Sequence, residues 1–166
     1  DYIKGLPYRD WDWQGISENR LITIDYDLLK ILDLKKNVNW NAVLNSPDLE
    51  FNLETIDILS KKKITNFWNI ISESSRLIID NDLLNRYRFN WNWDLLINND
   101  KIDINNLEFL EEFESSLPWD VLSNNKEFKP SSEVLSTFKN KLNWTSISSN
   151  LELTTDILRA FKEDLN

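Results

Sequence analysis

Apolar and polar positions along this 166-residue chain repeat with a period of about 26 residues. Six tryptophans mark the period, at separations of 27, 28, 25, 26 and 25 residues: Trp13, Trp40, Trp68, Trp93, Trp119 and Trp144. The third residue after each of them is apolar: Ile16, Val43, Ile71, Leu96, Leu122 and Ile147. Periods of roughly 20 to 50 residues are typical of tandem structural repeats. We therefore predict six repeats, each beginning near one of these tryptophans.

Each repeat is predicted to open with a short first helix, called helix A. The residue before the tryptophan is Asp or Asn in four repeats: Asp12, Asn39, Asn92 and Asn143. Such a side chain accepts a hydrogen bond from the first helical turn, which predicts an N-cap and puts the tryptophan at the first helical position. The residue two before the tryptophan is apolar in five repeats and suits a hydrophobic staple: Trp11, Val38, Trp91, Leu117 and Leu142.

The end of helix A is predicted from the sixth residue after the tryptophan. That residue is Asn or Ser in every repeat: Asn19, Ser46, Ser74, Asn99, Asn125 and Asn150. Asn can end a helix in the left-handed backbone conformation, so helix A is expected to span about two turns.

A second helix, helix B, is predicted after a loop of variable length. Candidate N-caps are Thr23, Asn52, Asp80, Ser131 and Thr154, with Asp103 or Asn105 in the fourth repeat. An acid followed by two apolar residues begins at Asp27, Asp57, Asp82, Glu108, Glu133 and Asp156. Three residues beyond each such triplet stand Leu32, Lys62, Tyr87, Phe113, Phe138 and Phe161. We expect about three turns, with the acids near the positive end of the helix dipole and Lys or Arg near its negative end.

The fold predicted is an all-α solenoid of six short helix-turn-helix repeats over residues 13–166. Residues 1–12 are interpreted as a lead-in or as the end of a preceding repeat. Leu165-Asn166 matches Leu142-Asn143, and the chain has no Met, so we expect a fragment of a longer polypeptide that continues with a Trp.

Composition narrows the possible chemistry. The chain has no Cys and no His, so thiolate and imidazole sites are excluded, and no cofactor or metal site is expected. Only two Gly and four Pro are present, which disfavours hairpin-rich β folds. The net charge is −9 without a long basic block, so nucleic acid is a disfavoured partner. No apolar run could span a bilayer and no signal peptide pattern opens the chain, so a cytoplasmic location is expected.

The opening Trp-x-x-Ile/Leu pattern resembles the start of a tetratricopeptide repeat, and the two-helix plan is similar. The period differs, at about 26 residues here and about 34 in that family. The pattern also resembles short Trp-led helical repeats of large proteins from AT-rich microbial and giant-virus genomes. Both resemblances imply architecture and no catalytic residue.

The candidate binding residues are a polar row on helix A, which we call the stripe. It consists of the first and fifth residues after each tryptophan, which are polar in all six repeats and share one helix face. The stripe is Gln14, Glu18, Asn41, Asn45, Asn69, Glu73, Asp94, Asn98, Asp120, Asn124, Thr145 and Ser149. It is either ordinary solvated surface or the varied lining of a recognition groove. We expect the tryptophans themselves to pack in the core, not to form an aromatic cage.

The function expected is a non-catalytic scaffold or spacer that binds a protein or peptide, most simply a basic or polar one. One alternative is single-stranded RNA recognition, one set of polar side chains per repeat, although the stripe has no cation. Another is a hydrolase using Glu111-Glu112 or Asp80/Asp82, but near-adjacent helical acids do not face each other across a substrate. The row of acids on helix B could bind calcium or a basic partner, but no EF-hand pattern accompanies it. Asn143-Trp144-Thr145 matches a glycosylation acceptor, and we interpret its Asn as a helix cap.

Overall fold

The computed structural model describes residues 2–150 and 155–164. Over these residues it is all-α, with thirteen short helices and no strand. The prediction of an all-α fold is therefore confirmed. The chain divides into two compact units, Asp1–Tyr87 and Arg88–Asn166.

Unit 1 contains the first three repeats. Its helices are α1 (Tyr2–Gly5), α2 (Trp13–Glu18), α3 (Tyr26–Asp33), α4 (Trp40–Leu44), α5 (Leu53–Leu59), α6 (Phe67–Ser72) and α7 (Asn81–Arg86). Helix A of the first repeat, α2, packs on helix A of the second, α4, and the helices B, α3 and α5, pack in the same way. Helix α1 lies against α3. Like helices of successive repeats thus stack side by side, as they do in α-solenoids.

Unit 2 contains repeats four to six. Its helices are α8 (Trp93–Leu96), α9 (Leu107–Glu112), α10 (Trp119–Asn124), α11 (Ser132–Thr137), α12 (Trp144–Asn150) and α13 (Thr155–Ala160). Helices α10 and α12, both of type A, pack on each other. The prediction of helix pairs in regular tandem therefore holds for this unit too.

Helix A begins as predicted in most repeats. The side chains of Asp12, Asn39, Asn92 and Asn143 each accept a hydrogen bond from the amide three residues later, at 2.9 to 3.3 Å. The third repeat differs, because Asn66 takes a left-handed conformation with φ of 54° and Phe67 becomes the first helical residue. The prediction that Trp68 opens its helix is therefore wrong by one residue.

Helix A ends at the predicted residue in the first and fifth repeats, and one or two residues before it in the second, third and fourth. In the sixth repeat the predicted stop, Asn150, is still helical. The mechanism also differs from the predicted one. Asn19 and Asn125 have φ of −80° and −73°, so they are not left-handed. Their side chains instead accept the amide two residues on, at 2.9 Å from Leu21 and 2.8 Å from Glu127, and Asn99 does the same with Lys101 at 3.1 Å. These Asx turns give backbone amides of the loop a local hydrogen-bond acceptor, and they compete with continuation of the helix.

The N-caps of helix B are Asp25, Asn52, Asp80, Asn106 and Ser131. The predictions for Asn52, Asp80 and Ser131 are confirmed. Those for Thr23 and for Asp103 or Asn105 are wrong, since the caps lie one to three residues later. Thr154 lies outside the described residues.

The register of helix B in the second repeat also needs correction. Counting from the Asn52 cap, the first-turn acid is Glu54, and Asp57 stands one turn further on. Thr55 stands at a position that is apolar in the other repeats, and it is buried. Burial is tolerated because its hydroxyl donates to the Glu50 carbonyl at 2.8 Å. Leu59, which is fully buried, therefore takes the place that was assigned to Lys62.

Helix B is shorter than predicted, at six to eight residues. In three repeats it ends at an aromatic C-cap whose φ lies between −114° and −106°: Tyr87, Phe113 and Phe138. Most of the basic residues expected in its last turn lie beyond it, in the turn that follows. Lys62, Arg88 and Lys141 have their partners in neighbouring repeats, whereas Lys61 pairs with Asp57 of its own repeat.

The tryptophans pack against other rings, as predicted, but only Trp91 and Trp93 are buried and the other six are half-buried. The ring centroids of Trp119 and Phe138, which belong to one repeat, lie 4.6 Å apart, and those of Trp144 and Phe161 lie 5.3 Å apart. The Trp119 indole N–H donates to the Glu114 carbonyl at 3.0 Å. Trp11, Trp93 and Trp144 make the same bond to the carbonyl five residues earlier. The indole therefore joins the start of one repeat to the end of the segment before it.

Candidate functional site

All twelve stripe residues are exposed. They lie on helix A or directly after it, on the face opposite fully buried residues such as Val43, Leu96 and Leu122. The sequence pattern therefore predicted their solvent exposure correctly. Exposure is required both of a binding surface and of ordinary solvated surface.

Several stripe side chains bond to the next repeat. Glu18 accepts from the Asn39 side chain at 2.9 Å, and Asn41 accepts from the Thr65 amide at 3.3 Å. In unit 2, Asn98 accepts from the Asn125 side chain at 3.0 Å. Part of the polar character of the stripe therefore serves to join repeats.

Two grooves occur along the stripe, one in each unit. The first groove lies between α2 and α4, has a volume of about 630 Å³, and includes Glu18, Asn41 and Asn45. The second groove lies between the end of α8 and α10, has a volume of about 390 Å³, and includes Asn98, Asp120 and Asn124.

The two grooves are built from equivalent repeat positions. Each uses the fifth residue after one tryptophan and the first, second, fifth and sixth residues after the next. The second residue after the tryptophan is Ala42 in the first groove and Val121 in the second, so each groove has a small apolar side chain in its lining. The groove is therefore a property of the repeat and not of one irregular loop.

The chemistry of the grooves is that of amides and carboxylates. The first groove contains the side chains of Asn39, Asn41, Asn45 and Glu18 together with Arg20. A carboxamide carries a donor and an acceptor side by side, which matches a peptide group in an extended chain. Among the described residues there is no cluster of three or more acids that could hold a metal ion.

A buried serine on helix A contributes to the junctions and was missed by the sequence analysis. The Ser17 hydroxyl accepts the Asn39 amide at 2.9 Å, and the Ser123 hydroxyl accepts the Asn143 amide at 3.0 Å. Both serines are almost fully buried. The available signal was Ser at the fourth place after the tryptophan in four repeats: Ser17, Ser72, Ser123 and Ser148.

The acids considered for catalysis have structural partners or are exposed. Asp80 caps α7 by accepting the Leu83 amide at 2.7 Å, and Glu112 pairs with Arg88 at 3.3 Å. Asp82 and Glu111 are exposed on their helices. These side chains are not brought together around a cleft.

Ion pairs join successive repeats along the C-terminal ends of helix B. In unit 1, Lys62 pairs with Asp33 and Arg86 pairs with Asp57. In unit 2, Lys141 pairs with Glu114 at 3.0 Å, and two further pairs are Arg88–Glu112 and Lys139–Asp164. The basic residues attributed to the helix dipole therefore also act between repeats.

Asp57 is the most strongly perturbed of these carboxyl groups. It accepts from Lys61 at 2.8 Å, from Arg86 at 2.6 Å and from the Tyr87 hydroxyl at 3.1 Å. The hydrogen bonds from Lys61 and then Arg86 lower the pKa of Asp57 from 3.8 to about 2. Both cations favour the ionised carboxylate, which links α5 to α7.

Comparison with known proteins gives no match to a family, to a curated protein or to a solved structure. In the described part of the chain, no helix has the length and apolar character needed to cross a bilayer. Assignment of a function therefore depends on the grooves and the chemistry of their side chains.

Proposed function

We propose that this chain is a non-catalytic helical-repeat scaffold that binds a protein segment along the stripe. The observation that supports this most directly is the recurrence of one groove, built from equivalent repeat positions, in both units. Repeat proteins use such recurring surfaces to contact extended partners.

The ligand that fits this chemistry is an extended peptide of polar or basic character. Carboxamides such as Asn45 and Asn124 can pair with the peptide backbone, while Glu18 and Asp120 favour a positive side chain. The net charge of −9 favours the same class of partner.

We further propose that the repeat is a shortened tetratricopeptide-like unit. The paired helices, the Trp that opens helix A and the stacking of helix A on helix A support this assignment. The short helices, of four to seven residues for helix A and six to eight for helix B, account for the smaller period.

The test selects peptides from a phage-displayed random library on the whole chain, and then measures their affinity for variants. Asn45→Arg and Asn124→Arg place a cation in the first and second grooves. We expect about tenfold or greater weakening of binding, because the cation repels a basic peptide and fills the groove.

Matched controls are Asn85→Arg and Asn140→Arg, which change exposed Asn residues away from the stripe. These variants should retain wild-type affinity and the same melting temperature as the groove variants. Selected peptides that bind all four variants equally would contradict the proposal. Salt-sensitive binding of mixed single-stranded RNA in place of peptides would favour the nucleic-acid alternative.

A further inference from the structure

A third surface of unit 1 combines apolar exposure with positive charge. A groove of about 460 Å³ lies between α1 and α3 and is lined by Lys4, Pro7, Tyr8, Asp27, Lys30, Ile31, Leu34 and Lys35. Tyr8 is 97% exposed and Leu34 is 82% exposed. Large apolar side chains this exposed and this close together mark an interaction surface more often than ordinary protein surface.

The other repeats provide an internal comparison for this surface. Ile31 and Leu34 are the sixth and ninth residues after the helix B cap, Asp25. The equivalent pairs are Ile58 and Lys61, Arg86 and Phe89, Glu112 and Ser115, and Thr137 and Asn140. None of these pairs is apolar at both positions, so the repeat fold does not require the apolar pair of the first repeat.

The charge of this groove is opposite to that of the chain. Three lysines line it, against Asp27 in the lining and Asp25, the partner of Lys4, which leaves a net charge of +1, while the whole chain carries −9. Lys30 pairs with Asp27 at 2.9 Å, and Lys4 pairs with Asp25. Lys35 donates to the Pro7 carbonyl at 2.6 Å and lies 4.8 Å from the Trp13 ring centroid. Among the described residues no carboxylate forms an ion pair with Lys35, so its charge is available to a ligand.

We propose that the groove between α1 and α3 docks an acidic amphipathic segment of a partner protein. Apolar side chains of that segment pack against Tyr8 and Leu34, and its carboxylates pair with Lys30 and Lys35. This surface is separate from the stripe and takes a partner of the opposite charge. It therefore adds a second, independent binding specificity to the scaffold.

The test uses the whole chain and a fluorescein-labelled synthetic peptide in which Leu and Phe alternate with Glu and Asp. Fluorescence anisotropy should detect saturable binding that weakens as salt rises, because the ion pairs are partly screened. Leu34→Asp and Lys30→Glu should each weaken binding about tenfold. A peptide with Lys in place of every acid should keep the same affinity in Leu34→Asp as in wild type, because any binding of it is to the stripe.

Phe89→Asp is the matched control, because Phe89 is 95% exposed and lies in unit 2, outside the groove. It should retain wild-type affinity, and circular dichroism should give the same melting curve for all variants. Unchanged affinity of the acidic peptide in Leu34→Asp and Lys30→Glu, an equal loss in Phe89→Asp, or an equal loss of the Lys peptide in Leu34→Asp would each overturn the proposal. Self-association of the chain that Leu34→Asp abolishes would also overturn it, by assigning the face to a second copy.

Discussion

The Asn105 side chain takes over in unit 2 a role that a main-chain peptide has in unit 1. In unit 1 the Phe51 amide donates to the Arg76 carbonyl at 3.0 Å, and its carbonyl accepts the Ile78 amide at 2.9 Å. Phe51 and Asn105 each stand one residue before a helix B cap. The Asn105 carboxamide donates to the Glu127 carbonyl at 3.0 Å and accepts the Lys129 amide at 2.6 Å.

The groups that they bond to also come from equivalent positions. The accepting carbonyls belong to Arg76 and Glu127, four residues before the cap of the next helix B, and the donating amides belong to Ile78 and Lys129, two residues before it. A carboxamide can replace a peptide group in this way because it carries the same pair of polar groups. The loops of neighbouring repeats are therefore joined by one hydrogen-bonding pattern with two chemical solutions.

We predict that Asn105→Ala lowers the free energy of unfolding by about 1–2 kcal/mol, because two loop hydrogen bonds are lost. Asn105→Asp should not rescue it, since the carboxylate retains an acceptor for Lys129 but has no donor for the Glu127 carbonyl. Urea unfolding measures both effects. Asn140→Ala, at an exposed Asn in the same unit, is the control and should change stability by less than about 0.5 kcal/mol. An Asn105→Ala midpoint equal to that of the control would contradict the role assigned to this carboxamide.

Local residue chemistry was predictable where one side chain acts on its own helix. The caps Asp12, Asn39, Asn92 and Asn143 could be read from sequence because their bonds span three residues. The prediction that Asn19 ends helix A in the left-handed conformation was wrong, because Asn can end a helix either through a positive φ or through an Asx turn. Sequence alone does not distinguish these two uses.

At the scale of elements, the register of helix B in the second repeat was the main error. Two consecutive triplets begin with an acid, Glu54-Thr55-Ile56 and Asp57-Ile58-Leu59, and only the second fits the pattern of an acid followed by two apolar residues. The second triplet is more apolar, but the first is the one that follows the Asn52 cap. Buried Thr55 satisfies its hydroxyl within the loop, so a polar residue occupies a core slot at little cost.

The correction gives Asp57 a different role, as the link between α5 and α7. We predict that Asp57→Asn lowers the melting temperature by about 2 °C at neutral pH, as expected for one partly exposed ion-pair network. Because the pKa of Asp57 is lowered in the folded state, its contribution is present above the ordinary value of 3.8. That contribution is lost as the pH falls toward about 2.

Melting curves of wild type and Asp57→Asn between neutral pH and pH 2 measure this dependence. The difference between the two proteins should be constant in the neutral range and should shrink in the acid range. Asp48→Asn is a suitable control, because Asp48 is exposed and forms no ion pair within the described residues. A wild-type advantage that persists unchanged at the lowest pH would contradict the assigned link.

The candidate site was predictable in part for the same reason that helix A was. Periodicity alone places Asn45 and Asn124 on the solvent face, and they are exposed. The grooves depend on the spacing between neighbouring helices, and the bonds of Glu18 and Asn98 depend on residues more than 20 positions away. Such features follow from packing between repeats, which a pattern within one repeat does not contain.

At the scale of the whole molecule, the core has no single centre. Fully buried side chains recur in each repeat, including Leu32, Val43, Leu59, Leu96 and Leu122. Packing is between helices of adjacent repeats, such as α2 with α4 and α10 with α12. In such a chain, stability accumulates as a sum of repeats and nearest-neighbour interfaces. A defect should therefore spread first to the adjacent repeat and weaken with distance along the sequence.

We predict that Trp119→Ala tests this propagation. Its ring stacks on Phe138 at 4.6 Å and bonds to the Glu114 carbonyl at 3.0 Å, so its loss affects the fourth and fifth repeats together. Loss of an aromatic packing group of this kind costs about 3 kcal/mol. Amides of α9, α10 and α11 should lose protection in hydrogen exchange, while those of α2 and α4 should retain it. Uniform loss of protection along the chain would indicate one cooperative core, and loss of peptide binding with unchanged protection would instead make Trp119 a ligand contact.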